Sequence, residues 1–371
     1  MTTSDRKLYT RDHLLLGHKG PAACLALHPD GTFVACGGHE GTSIWHVPAS
    51  PRAIETPAPA GNRGMTTAAI WMTKRDNMDD GLAFGTEDGY LVVWRRERTT
   101  GKFEEIFCRL LQGGTYPEVT SIAFDLNSSQ LAVSHRGGVV HRFLVDGAMQ
   151  PRPMKSASLP FCCPQTITFG HASTNGPEIW VFNRDSGEIA IVDNEANILK
   201  MRTTGCIIGS AVMNVQDDLL ALDDAASGVA LYKLSTSARI RTFPVPADAR
   251  RSRNVGINDQ NTSILSGSDH GIVYIFDRRT GNIRDTLPIG NDWVQTLCAA
   301  DINGTPTIVV GQSGENIGAN AIQIWRKSTH DPKINPTFLD QLGFFICASL
   351  MLMFALQTMT VCVIAAVASS S

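Results

Sequence analysis

Residues 24–47 read CLALHPDGTFVACGGHEGTSIWHV. An apolar alternation opens the stretch at Cys24 and Leu25, and Pro29-Asp30-Gly31 breaks it. Proline presets one turn dihedral and glycine takes the left-handed one, so this tripeptide reverses the chain. A second apolar run, from Phe33 to Cys36, ends at the glycines Gly37, Gly38 and Gly41. A third then closes on Ile44-Trp45. Three short apolar runs between turn signals, in so few residues, read as antiparallel strands.

The same order recurs along the chain. Its closing position is occupied in turn by Trp45, Trp94, Phe143, Ile191, Tyr232, Phe276 and Trp325. These marks fall about 47 residues apart, a repeat long enough for one small sheet per unit. Seven units imply an all-β body over residues 1–327. After Trp325 no further strand precedes Pro332 and Pro336, so the last unit lacks its outer strand. Residues 7–16, KLYTRDHLLL, stand before the first unit and are expected to supply it, which closes a ring and removes an exposed edge.

Gly17-His18, Pro29-Asp30-Gly31, Glu87-Asp88-Gly89 and the tryptophans Trp45, Trp94 and Trp325 make the chain resemble the WD-repeat family. That resemblance implies a seven-bladed β-propeller acting as a non-catalytic protein–protein interaction scaffold through its loops and rim. The chain departs from the family in having the family's Gly-His pair in the first repeat alone and no strand-final Trp-Asp. Asp88 stands at the turn position where Glu40, Gly137 and His270 stand elsewhere. A sparse buried polar network is therefore expected, with apolar packing carrying each blade.

Of 371 residues, 43% are hydrophobic and 18% charged, and the net charge is −3. That balance removes any global attraction to nucleic acid. Nine cysteines, an odd number without a CxxC pair, fit a reducing compartment rather than a disulfide framework. The N-terminal residues carry no apolar core, so a cleaved signal peptide is not expected, and the sequons at Asn127, Asn261 and Asn303 read as unmodified.

The C-terminal residues have a different composition. From Gly343 onward no residue is charged, and 342–368 are read as a transmembrane helix behind a linker at 328–341. Phe344, Phe345, Leu350, Leu352, Phe354, Leu356, Val361, Val363 and Ile364 form its lipid-facing bulk. A helix of that length spans a hydrocarbon core of about 30 Å. Arg326, Lys327 and Lys333 precede it, which keeps the propeller on the cytosolic side of an intracellular membrane. The arrangement resembles tail-anchored proteins.

No GxSxG, P-loop or HExxH motif occurs, so no catalytic, cofactor or metal residue is assigned. The Gly-rich residues 311–318 join two strands and lack the helix a phosphate cradle needs. Asp76 to Gly81 read as a polar turn, and the pairs His135/His141 and His39/His46 as ordinary strand and loop histidines. Asp217-Asp218 and Asp223-Asp224 read as turn residues flanking one strand. The remaining candidate is basic: Arg239, Arg241, Arg250, Arg251 and Arg253 fall between the fifth and sixth units. Arg250, Arg251 and Arg253 could meet an acidic lipid or an acidic partner, which makes a phospholipid-binding propeller one alternative. A propeller enzyme with a site in the central channel is the other.

Overall fold

The computed structural model describes residues 7–328 apart from 60, 75–76, 98, 113–115, 160–161, 174–175, 250 and 315–321, without the side chains of 74, 77–79 and 173. The chain divides into two units, Met1–Lys327 and Ser328–Ser371. Among the described residues there is no helix, hence none long and apolar enough to cross a membrane. The segment 342–368, including Phe344 to Ile364, lies outside them.

The first unit is a seven-bladed, all-β propeller. A lone strand β1 (Tyr9–Leu15) precedes blade 1, which holds β2 (Cys24–Leu27), β3 (Phe33–Gly38), β4 (Gly41–His46) and β5 (Arg52–Ile54). Blade 2 holds β6 (Thr66–Lys74), β7 (Asn77–Thr86), β8 (Tyr90–Arg96) and β9 (Phe103–Leu110). Blade 3 holds β10 (Val119–Asp125), β11 (Gln130–His135), β12 (Val139–Val145) and β13 (Pro151–Pro153), with β14 (Ala157–Ser158) also on β12. Blade 4 holds β15 (Pro164–Ser173), β16 (Gly176–Asn183), β17 (Glu188–Val192) and β18 (Ile198–Thr203). Blade 5 holds β19 (Ile208–Asn214), β20 (Leu219–Asp224), β21 (Gly228–Lys233) and β22 (Arg239–Phe243). Blade 6 holds β23 (Val255–Asn258), β24 (Ser263–Ser266), β25 (Ile272–Asp277) and β26 (Ile283–Pro288). Blade 7 holds β27 (Thr296–Ile302), β28 (Thr305–Gly311) and β29 (Ile322–Lys327), with β1 as its outer strand.

The repeating aromatic or aliphatic mark falls on the third strand of every blade, opposite a large apolar residue of the second. The pairs are Val34–Trp45, Leu82–Trp94, Leu131–Phe143, Trp180–Ile191, Leu220–Tyr232, Ile264–Phe276 and Ile308–Trp325. Such cross-strand pairs are what stabilises a sheet and fixes its register. The apolar core is divided the same way. Seven clusters occupy the seven blade-to-blade interfaces, for example Phe33 and Ile44 of blade 1 against Trp71 and Leu82 of blade 2.

Blade 7 joins the two ends of the ring. Tyr9 pairs with Lys327 and Leu15 with Ile322, with a bulge between Arg11 and His13. The carboxylate of Asp285, on β26, accepts the backbone N–H of Leu8 at 2.8 Å and of Tyr9 at 2.9 Å. At the end of β29, Lys327 donates to both oxygens of Asp259 at 2.8 Å. One difference from the sequence reading lies in blade 2, where residues 77–81 belong to strand β7 rather than to a turn.

Candidate functional site

The inner strands β2, β6, β10, β15, β19, β23 and β27 line a central channel of about 520 Å³. Hydroxyls and amides such as Thr67, Thr120, Ser210, Asn254 and Gln295 dominate its polar surface. Its charged groups among the described residues are Glu118 and Arg184, and Glu118 accepts from Arg136 at 2.9 Å. Cys24 and Cys298 also face the channel, and burial pushes both thiols up to about 12, so they stay protonated and weakly nucleophilic. Among the described residues no three His, Cys, Asp or Glu side chains gather as a metal site would require. A second cavity, of about 300 Å³, opens between blades 1 and 2. Phe84 and Trp94 meet edge to face there at 4.7 Å, and Glu105 holds Arg63 through two bonds at 2.7 and 2.9 Å.

The arginine stretch does not form one solvent-facing patch. Arg253 is 2% exposed and its guanidinium lies 2.8 Å from Asp223, itself 0% exposed. The Arg253 backbone N–H also donates to Asp223, at 2.8 Å, and Nη2 donates to the Asp224 carbonyl at 3.1 Å. Arg253 is therefore withdrawn from any lipid or acidic partner, since a buried pair of this kind loses several kcal/mol when one side is removed (about 3–5). Arg250 lies outside the described residues. Arg251 stays at the surface over the Trp293 ring, 5.0 Å from its centre, and Arg239 lies over Tyr232 at 6.0 Å. Arg241 donates to the carbonyls of Arg279 and Thr280 at 3.0 Å. Sequence adjacency misled because the partner of Arg253 comes from the blade before it.

Polar links that the sequence did not reveal replace the sparse family network. His18 of the Gly-His pair meets the Cys36 thiol at 3.5 Å, while Glu40 pairs with Lys19 at 3.4 Å. Buried His28 holds Asp30 through Nδ1 and Asp80 through Nε2, joining blades 1 and 2. Burial opposes its charged form, but the bonds to Asp80 and Asp30 outweigh that and raise its pKa. Arg142, 3% exposed on β12, reaches into blade 4. It donates to Asn194 Oδ1 at 2.7 Å, the Asp193 carbonyl at 2.9 Å and the Pro177 carbonyl at 3.1 Å, and to Gln130 Oε1 at 3.0 Å within its own blade.

His135 and His141 do meet, with ring centres 5.0 Å apart. His141 is bonded to Ser156 and to the Gln112 carbonyl, whereas His135 is fully buried and completes no hydrogen bond among the described residues. Burial first, then His141, holds the His135 pKa down to about 4, and the Pro117 carbonyl only partly offsets them. The unfolded chain thus takes up a proton near pH 6.5 that the folded chain refuses. Stability is complete above that pH and falls as pH drops toward 4, by up to about 3 kcal/mol from this group. The expected result is that His135→Leu loses less of its thermal midpoint than wild type between pH 7 and pH 4.5. Parallel pH profiles for the two proteins would contradict it.

The rim provides the third candidate surface. β18 is the outer strand of blade 4, and Ile198, Leu199 and Met201 on it are 43%, 55% and 54% exposed. Ile240, on β22, the outer strand of blade 5, is exposed as well.

Comparison with known proteins bears on these surfaces only through the fold. Residues 9–45 match the family model described as WD domain, G-beta repeat. The WD40 match begins on β1 and ends in β4, so the sequence repeat straddles blades 7 and 1. Among solved structures, the WD40 β-propeller domain of Doa1 superposes with a TM-score of 0.68 at 13% identity, covering 87% of this chain and 98% of that one. Sqt1 of Saccharomyces cerevisiae gives 0.59 at 13% identity, with 85% and 98% covered. Comparison with curated proteins finds no match. At these identities the likeness shows the β-propeller fold alone and nothing about binding.

Proposed function

We propose that this protein is a non-catalytic protein–protein interaction scaffold, its WD40 propeller tethered to the cytosolic face of an intracellular membrane by residues 342–368. WD40 propellers typically serve as protein-interaction scaffolds. The observation that carries the scaffold reading here is the exposure of large apolar side chains on two outer strands: Ile198, Leu199 and Met201 on β18 and Ile240 on β22. Three of them fall within four residues of one edge strand, and contiguous exposed apolar surface marks sites that a partner covers. The tether rests on the uncharged C-terminal run.

The channel offers the enzyme reading one carboxylate, already ion-paired, and protonated thiols. The phospholipid reading loses Arg253 to Asp223. Neither is favoured by a specific observation.

Proximity labelling in cells tests both halves of the proposal. Leu199→Asp combined with Ile240→Asp is expected to strip proteins from the labelled set. An unchanged set would count against the rim. Full-length protein is expected to stay with membranes in alkaline carbonate, and a chain lacking 342–371 is expected to be soluble. Release of the full-length protein would remove the tether.

A further inference from the structure

Outer strands are open edges, and proteins blunt them with charge, proline or shortness. All seven outer strands here carry at least one of these devices. β5 has three residues, β13 reads PRP, β9 carries Glu104 and Glu105, β1 carries Arg11 and Asp12, β22 carries Arg239 and Arg241, and β26 carries Arg284, Asp285 and Pro288. β18 reads ILKMRT: Lys200 and Arg202 give it charge, but Ile198, Leu199 and Met201 make it the one outer strand with more than one exposed large apolar side chain among the described residues, and no strand among them pairs with its outer edge.

Its two cations differ. Arg202 is engaged, lying over the Trp180 ring at 5.3 Å and donating to Ser237 and the Leu234 carbonyl of blade 5. Lys200 makes no ion pair among the described residues. The bulge opposite Ile191 and Val192 leaves residues 200–203 in regular register against Glu188 to Ile191. The outer strands of blades 2, 5 and 6 carry a bulge in the corresponding place, so the bulge does not set β18 apart.

We infer that β18 is a strand-addition site, taking an extended partner segment that alternates apolar and acidic residues. The inference rests on the scaffold reading and names its partner chemistry. Backbone groups at the free edge supply the ladder. Residues directly opposite on one face interact most, so an acidic side chain of the added strand faces Lys200 and an apolar one faces Met201. A basic segment would meet Lys200 and Arg202 as like charges.

The test uses the full-length chain and two capped hexapeptides, one alternating Val and Glu and the other alternating Val and Lys. Hydrogen exchange over residues 198–203 is expected to slow about tenfold or more with the Glu peptide, a gain of about 1.4 kcal/mol in local protection. The Lys peptide should leave it unchanged, and Lys200→Glu should reverse the preference. Absence of protection, equal protection by both peptides, or protection confined to another blade overturns the inference. If the peptide fails while Leu199→Asp with Ile240→Asp still strips labelled proteins, strand addition falls and the scaffold stands. If both fail, the scaffold reading falls with it.

Discussion

Replacing Arg142 by Leu is expected to cost the propeller about 3–5 kcal/mol, the range for disrupting a buried charged network. The guanidinium gathers Gln130 Oε1, Asn194 Oδ1 and the carbonyls of Pro177 and Asp193 at one point. Gln130 Oε1 and the Pro177 carbonyl would lose this donor in a buried site, and Asn194 Oδ1 and the Asp193 carbonyl in a half-buried one. Each such loss costs about 1–3 kcal/mol, although neighbouring acceptors relax together and the costs do not add. Gln130 Nε2 already bonds Asn194 at 3.2 Å, so part of the network can re-form without Arg142. Lys at this position keeps the charge but loses the planar fork, and should recover less than half. The measurement is a thermal midpoint, expected to fall by roughly 5–10 °C for Leu. A fall under about 2 °C would mean that the network is not what joins blades 3 and 4.

Removing residues 1–16 is expected to have the larger effect, because it opens the ring. Buried Tyr9 and Leu15 would leave the edges of blades 6, 7 and 1, at about 1.5–3 kcal/mol each in apolar burial alone. The Trp45 indole would also lose the Leu16 carbonyl to which it donates at 2.9 Å. β29, an inner member of the blade, would become an edge with Ile322 and Ile324 beside it, a template for aggregation. The truncated chain should express as aggregate, and co-expression of residues 1–17 as a separate peptide should recover soluble protein. Asp285→Ala gives a milder version. It leaves the N–H groups of Leu8 and Tyr9 without an acceptor and should lower the midpoint without abolishing folding. A truncated chain that stays soluble, with the wild-type midpoint, would show that β1 is dispensable.

The repeat marks were legible because packing enforces them. Trp45, Trp94 and Trp325 each sit opposite a fixed partner on the second strand, and the same demand puts Phe143, Ile191, Tyr232 and Phe276 at matching points. A side chain that must fill the space between two blades leaves a periodic trace. The polar contacts leave none. Arg142 in VVHRFLV reads as a solvent-facing residue of an alternating strand, and its acceptors come from blade 4. Arg253 reads as one of a basic run, and only the fold reveals Asp223 beneath it. His135 and His141, on either side of Gly137-Gly138, were visible as a pair, but the burial that sets their chemistry was not. The apolar letters of β18 were readable, whereas their exposure depends on the strand being outermost in its blade.

The offset between repeat and blade also orders events during synthesis. β1 leaves the ribosome before every other strand of the ring, yet its place beside β29 does not exist until roughly 310 further residues have been made, which takes roughly 15–60 s at ordinary elongation rates. Throughout that interval Tyr9 and Leu15 have no permanent berth, and any blade with a temporarily bare edge is a competing host. The nascent chain must therefore keep the first strand of the ring uncommitted until the last one has been made. Arg11, Asp12 and His13, polar residues within an otherwise apolar strand, give that strand the solubility to wait.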